Sequence, residues 1–210
     1  MKYIFVAGAP GSKWSSVVKN IYYSPNIDRS DYRDEWTYYH DAADTGVPEL
    51  MHLGAYFDPG MISSLPEDLT ALNREQLEKI FAEPFESIEF KGTRIIKSHV
   101  FSNHLAHLRE QFPETPIVIV HRNDDACLGW WVKCGHFDIT YPDYHEYFKD
   151  LKHMAQIIKR QNKDILTAWW KYSGKVVSDN VQLSQALNIE LPPVEYSQDY
   201  AISDVRVKVI

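Results

Sequence analysis

The sequence predicts an α/β fold, three layers deep, with a mainly parallel sheet between two layers of helices. Three observations lead there. Residues 3–7 (Tyr-Ile-Phe-Val-Ala) and 116–121 (Pro-Ile-Val-Ile-Val-His) are short, continuous apolar runs, the pattern of strands buried on both faces. After the first run, Trp14, Val17, Val18, Ile21 and Tyr22 fall at i, i+3, i+4, i+7 and i+8, the apolar stripe of a helix lying on a sheet. At least four such strands alternate with helical segments, and βαβ crossovers make the strands parallel and place helices on the faces.

Each element follows from its own pattern. Gly8-Ala-Pro-Gly-Ser12 ends the first strand in a tight turn. From 24 to 66 no period survives, and so long an irregular segment within a compact domain is read as a functional loop or lid insertion. Residues 74–81 read as a short helix, 93–97 as a strand, 103–111 as a helix and 116–121 as the clearest strand. Beyond it, 124–133 is helical and 144–172 gives one or two long amphipathic helices. A weak strand at 175–177 and a short helix at 181–187 complete the pattern.

The chain's 210 residues suit one domain, 1–210, able to bury a core without disulfides or metals. A net charge of −7 with no dense basic run argues against a nucleic-acid partner. Cys127 and Cys134 lie seven apart on a helix, which separates their backbones by about 10 Å and rules against a bridge. No run is long enough for a membrane span, and the apolar stretch at 1–7 is too short for a signal peptide, so a cytoplasmic protein is expected.

In a parallel sheet, ligands sit beyond the carboxyl ends of the strands, and three such ends carry candidates. The first is Gly8-Ala-Pro-Gly-Ser-Lys-Trp-Ser-Ser16, where glycines allow a tight turn and the helix start offers unpaired N–H groups to an anion. Lys13, Ser12, Ser15 and Ser16 add donors. A Walker A loop fails here, because Lys13 stands where its second Gly belongs and Trp14 where its Lys belongs. A helix start capped by Ser12, with no ligand, accounts for the same residues. The second end is Lys97-Ser-His99, whose outer side chains leave an extended strand on the same side. They form either a cation and a base or a solvated strand end with a helix cap. The third is Val120-His-Arg-Asn123, which presents Arg122, a residue suited to bidentate phosphate binding, where metal-dependent nucleotide hydrolases carry a Mg²⁺-binding Asp.

Together, Pro-Gly-Ser-Lys-Trp-Ser-Ser after the first strand, Lys-Ser-His after a middle strand and Val-His-Arg-Asn after the next resemble the sulfotransferase family in order and spacing. The resemblance covers roughly residues 1–135 and implies a P-loop NTPase-like fold. It also implies 3′-phosphoadenosine 5′-phosphosulfate as donor. Pro10, Gly11, Ser12, Lys13, Trp14, Ser15 and Ser16 would hold the phosphosulfate, Lys97 would assist the donor, His99 would act as base and Arg122 would bind the 3′-phosphate. Two departures stand out: Gly11 occupies the family's basic position with Lys13 in its glycine position, and Gly129 replaces a phosphate-binding Ser.

The reaction expected from that resemblance is metal-free in-line sulfuryl transfer to a hydroxyl or amine on a small-molecule or carbohydrate acceptor. His99 is the base, Lys97 and Lys13 stabilise the bridging oxygen, and the 24–66 loop forms the acceptor wall. A Mg²⁺-dependent phosphotransferase with a degenerate loop, or a non-catalytic nucleotide or sulfate sensor, are the alternatives. Trp36, Tyr38, Tyr39, Tyr56 and Phe57 read as lid packing before stacking surface. His40, Asp41, Asp44 and His52 fit no familiar metal-ligand spacing. Trp169-Trp170 and the stripe Tyr147, Leu151, Met154, Ile158 read as core or as the contact of a homodimer.

Overall fold

The computed structural model describes residues 1–31, 53–57, 65–134, 144–191 and 204–210. Within these, six strands form one sheet: β1 (Tyr3–Gly8), β2 (Ala55–Tyr56), β3 (Arg94–Lys97), β4 (Ile117–His121), β5 (Lys175–Val177) and β6 (Arg206–Val209). Their order is β2-β3-β1-β4-β6-β5. The first four run parallel, and β6 pairs antiparallel with both β4 and β5. Seven helices accompany them: α1 (Trp14–Tyr22), α2 (Arg74–Ala82), α3 (Leu105–Gln111), α4 (Asp124–Lys133), α5 (Tyr144–Phe148), α6 (Leu151–Lys171) and α7 (Asn180–Leu187). The chain is thus mixed α/β with a mainly parallel sheet.

Alternation along each central strand sends side chains to two separate cores. Ile4, Val6, Ile95, Val118 and Val120 meet Trp14, Val17, Val18 and Ile21 of α1 and Leu183 and Leu187 of α7. On the opposite face, Phe5, Ile96, Ile117 and Ile119 meet α2, α3 and α6 through Leu77, Phe81, Leu105, Leu108, Ile165 and Ala168. Aromatic rings dominate this second core, with Phe5 edge-on to Phe112 at 5.1 Å. A third cluster, including Cys127, Trp131, Phe148, Met154 and Ile158, ties α4, α5 and α6 together. Cys127 and Cys134 are free and buried, and burial pushes their thiols up to about 12 and about 11.

Sequence reading and structure differ at four points. The 24–66 segment is not uniformly irregular: Ala55–Tyr56 pairs with β3, and Ile27 bridges Thr93. Strand β6 was not anticipated at all. The helix expected at 103–111 begins two residues later, as α3, after a 3₁₀ turn at Val100–Asn103. Trp170 and Leu151 are 83% and 48% exposed, so neither is core, while Trp169, Met154 and Ile158 do pack inward. Tyr56 and Phe57 are buried; Trp36, Tyr38, Tyr39, His40, Asp41, Asp44 and His52 lie outside the described residues.

Local signals fix the helix starts. Asn73 and Gln76 form a reciprocal capping box on α2. Asp150 and Asp179 accept from the backbone N–H groups of His153 and Gln182 to start α6 and α7. At the other end of α6, the ammonium of Lys208 on β6 donates to the carbonyls of Trp169 and Tyr172 at 2.5 and 2.7 Å. That satisfies carbonyls a helix end leaves unpaired.

Strand β3 is buried along its whole length although both ends are cationic. Arg94 is fully buried, sandwiched between the Phe85 and Phe90 rings at 4.2 Å each. Its Nε donates to Asp28 at 3.0 Å, and Nη2 donates to the carbonyls of Ser87 and Glu89. Burial pushes the Asp28 carboxyl up, but hydrogen bonds from Ser30, Arg94 and Lys91 together outweigh it and hold the group below its ordinary 3.8. Among the described residues, no helix is long and apolar enough to cross a membrane.

Candidate functional site

Strand order decides which candidates can meet. Because β1 lies between β3 and β4, the turn after β1 is flanked by the carboxyl end of β3 on one side and that of β4 on the other. The chain passes from β1 through α1 on one face, and from β3 through α3 on the opposite face. Connections diverging in this way open the crevice where α/β sheets bind ligands.

Within the 8–16 turn, residues alternate between inside and outside. Pro10, Ser12 and Trp14 are buried, while Gly11, Lys13, Ser15 and Ser16 are half-buried. Ser12 does not cap the helix: Lys13 holds the N-cap position with φ 62° and no side-chain cap. The Ser12 hydroxyl lies under the turn, 2.6 Å from where a side chain on Gly8 would begin, and has no hydrogen-bond partner among the described residues. Ser12 is thus turned inward, and the more accessible hydroxyls of the turn are those of Ser15 and Ser16. The backbone is left-handed at Gly11 (φ 77°) and at Lys13, the Ser12 N–H donates back to the Ala9 carbonyl at 3.0 Å, and α1 starts directly after, a helix start being favourable for anions.

Gly11 is required for a second reason. A β-carbon there would lie 2.0 Å from the Cys127 carbonyl oxygen of α4. No basic residue fits, which explains why this turn lacks a cation at that point. Gly11→Ala is expected to cost about 1–3 kcal/mol through backbone strain alone, visible as a lower melting temperature. A variant as stable as the parent would show that the turn is not seated on α4.

The Lys13 side chain is directed instead to α4, with Nζ 4.6 Å from the Trp130 ring centre. Arg122 and Lys133 lie 6.0 and 5.6 Å from the same ring, so three cations surround one indole. Burial, and then the neighbouring Arg122 charge, hold the Lys13 ammonium below its ordinary 10.5. A bound anion would relieve that repulsion.

Arg122 is 9% exposed and reaches back to the turn, Nη1 donating to the Gly11 carbonyl at 3.2 Å. Its Nε donates to both carboxylate oxygens of Asp204 at 2.9 Å. From α6, Asn162 Nδ2 donates to the Arg122 carbonyl and to Asp124 Oδ1 at 2.8 and 2.7 Å, pinning the end of β4. Gly129, expected to weaken a phosphate site, has nothing within 4 Å of a would-be side chain.

On the other flank, Lys97 ends β3 while His99 lies beyond it with helical backbone (φ −65°, ψ −29°), so the extended pair expected is not what brings them together, yet both are buried. His99 stacks on Trp14, ring centres 4.0 Å apart and planes 16° from parallel. Lys97 Nζ lies 5.6 Å from the Trp14 ring centre and 5.3 Å from that of Tyr56. Neither residue is a solvated strand end; His99 holds the N-cap position of the Val100–Asn103 turn without a side-chain cap. His99 Nδ1 contacts the Gly8 carbonyl at 2.5 Å. A carbonyl only accepts, so Nδ1 carries the proton and Nε2 is the basic nitrogen of the neutral ring.

The structure thus gathers two groups around the turn: Lys97 and His99 on Trp14 and Tyr56, and Lys13 and Arg122 at Trp130. Lys13 joins the second group, not the first. Sequence reasoning missed Trp14 as the platform for His99, Trp130 as the centre of the cations, and Asp204 and Asn162 as partners of Arg122. Only Trp14 carried a local signal, standing inside the turn itself. Compared against protein-family models, curated proteins and solved structures, the chain has no match in any of the three.

Proposed function

We propose that this chain is a sulfotransferase with a P-loop NTPase-like architecture, moving a sulfuryl group from 3′-phosphoadenosine 5′-phosphosulfate to a hydroxyl or amine acceptor. One observation carries the reading: the left-handed turn after β1, at the start of α1, lies between buried Lys97 and His99 at the end of β3 and buried Arg122 at the end of β4. The turn and α1 supply fixed dipoles for the phosphosulfate, and Lys97 balances charge gathering on its bridging oxygen. His99 Nε2 takes the acceptor's proton as the new bond to sulfur forms. The old bridging S–O bond breaks with its electron pair passing to the phosphate, releasing adenosine 3′,5′-bisphosphate.

Lys13, Arg122 and Lys133 around Trp130 are the groups for the donor's second phosphate. Binding there exchanges the Asp204 carboxylate on Arg122 for a phosphate oxygen. A sulfuryl group carries less charge than a phosphoryl group, so lysine, histidine and backbone dipoles suffice for its transfer. Calorimetry with adenosine 3′,5′-bisphosphate, ATP and inorganic sulfate, each with and without Mg²⁺, tests this. The bisphosphate is expected to bind equally in both conditions. Binding of ATP alone, and only with Mg²⁺, would replace this reading with a phosphotransferase.

A further inference from the structure

A separate cleft of about 240 Å³ lies between the Val100–Asn103 turn and α6, lined by Glu67, Asn103, His104, Tyr147, Arg160, Gln161 and Asp164 with Val100 at its base. It is not the pocket of His99. Trp14 and Tyr56, which bracket His99 and Lys97, belong to the core under α1, whereas Val100 belongs to the opposite core.

Its lining is planar, polar and of both hydrogen-bonding senses. Asn103 Nδ2 donates to Asp164 Oδ2 at 2.7 Å, fixing that carboxylate. His104 Nε2 faces the Glu67 carbonyl at 2.6 Å, which makes Nε2 the donor and Nδ1 an acceptor. Arg160 and Glu67 line the same space, yet no ion pair joins them. Gln161 is 2% exposed, and its Oε1 is buried with no hydrogen-bond partner among the described residues. A buried, unsatisfied amide oxygen costs free energy that an incoming donor recovers.

What suits this lining is a ligand whose every group both donates and accepts. Hydroxyls do so, and Tyr147 adds an aromatic surface for the C–H face of a sugar ring. Anions are disfavoured, because Glu67 and Asp164 outnumber Arg160. We infer that the cleft is a binding site for a neutral saccharide, distinct from the proposed transfer site. Its charge balance and its place on the other face of the sheet keep the nucleotide out.

The test is ligand-observed NMR of the whole chain with glucose, galactose, mannose and N-acetylglucosamine, with glutamine as a zwitterionic probe. At least one sugar is expected to bind with a Kd of about 1 mM or tighter. Arg160→Ala, at an exposed position, and Gln161→Leu are each expected to weaken that binding by about tenfold or more while adenosine 3′,5′-bisphosphate titrates as in the parent. Overturning results are no sugar binding, binding by glutamine alone, or sugar binding that neither substitution changes. Since no donor is needed, failure here is separate from failure of the sulfuryl-transfer reading: the first appears in the sugar titration, the second in the nucleotide titration.

Discussion

His99→Asn is expected to lower sulfuryl-transfer turnover about 10²–10⁴-fold while binding of adenosine 3′,5′-bisphosphate is unchanged. Asparagine is the informative replacement because its amide N–H can still donate to the Gly8 carbonyl that His99 Nδ1 contacts, whereas nothing in it replaces Nε2 as a base. The turn keeps its support and loses only the proton acceptor. Single-turnover assays with a panel of hydroxyl acceptors, set beside calorimetry of the same variant, separate chemistry from binding. Turnover equal to the parent's would remove His99 from the mechanism. Loss of nucleotide binding along with turnover would give His99 a structural role instead. A parent that binds the bisphosphate but sulfates none of the panel would favour a sensor.

The largest stability effect belongs to Asp28→Ala. Removing one partner of a buried ion pair leaves the other charge stranded, a loss of about 3–5 kcal/mol and, for a chain of this size, a melting temperature lower by roughly 6–20 °C. The stranded group would be Arg94, wholly enclosed and stacked between two phenyl rings. Pairing Asp28→Leu with Arg94→Met is expected to recover much of the loss, since it removes the charge rather than its partner. If Asp28→Ala melts with the parent, the pair contributes nothing. The hydrogen bonds to the Asp28 carboxylate, from Ser30 and then from Arg94, give acid sensitivity a sign. Because folding holds the Asp28 carboxyl below its ordinary 3.8, its contribution is complete above that value and drains away as pH falls through the lower folded one. Acid unfolding in Asp28→Ala should therefore lose part of its steepness below about pH 4.

Elements built from near-neighbour patterns were legible. Continuous apolar runs gave β1 and β4, the α1 stripe gave its helix, and Asp124–Lys133 and Lys175–Val177 appear as expected. What escaped depends on distant partners. Arg206-Val-Lys-Val209 carries two cations in four residues and resembles a solvated edge, yet Lys208 is buried because α6 presents carbonyls to it. The β2 pair is too short to show a period, and it exists because β3 offers an open edge. In the site, the types and the strand ends were readable, because a sheet's carboxyl edge is fixed once strands and helices alternate. Orientation was not readable. That Ser12 turns inward, that Lys13 leaves for Trp130 and that Gly11 rests on the Cys127 carbonyl all follow from where α4 lies, which no residue of the turn encodes.

Strand β6 links the site to the order in which the molecule comes apart. In the sheet, β5 touches only β6, and β6 alone joins β5 to β4. Losing the β4–β6 ladder therefore detaches β6 and β5 from the sheet together, while β2, β3, β1 and β4 keep their own pairings. This unit is the natural candidate for opening below the global unfolding threshold. Asp204, two residues before β6, meets Arg122 across 82 residues of chain. Arg122 therefore loses its carboxylate partner when that unit leaves, so the electrostatics of the crevice report on whether β6 and β5 are docked.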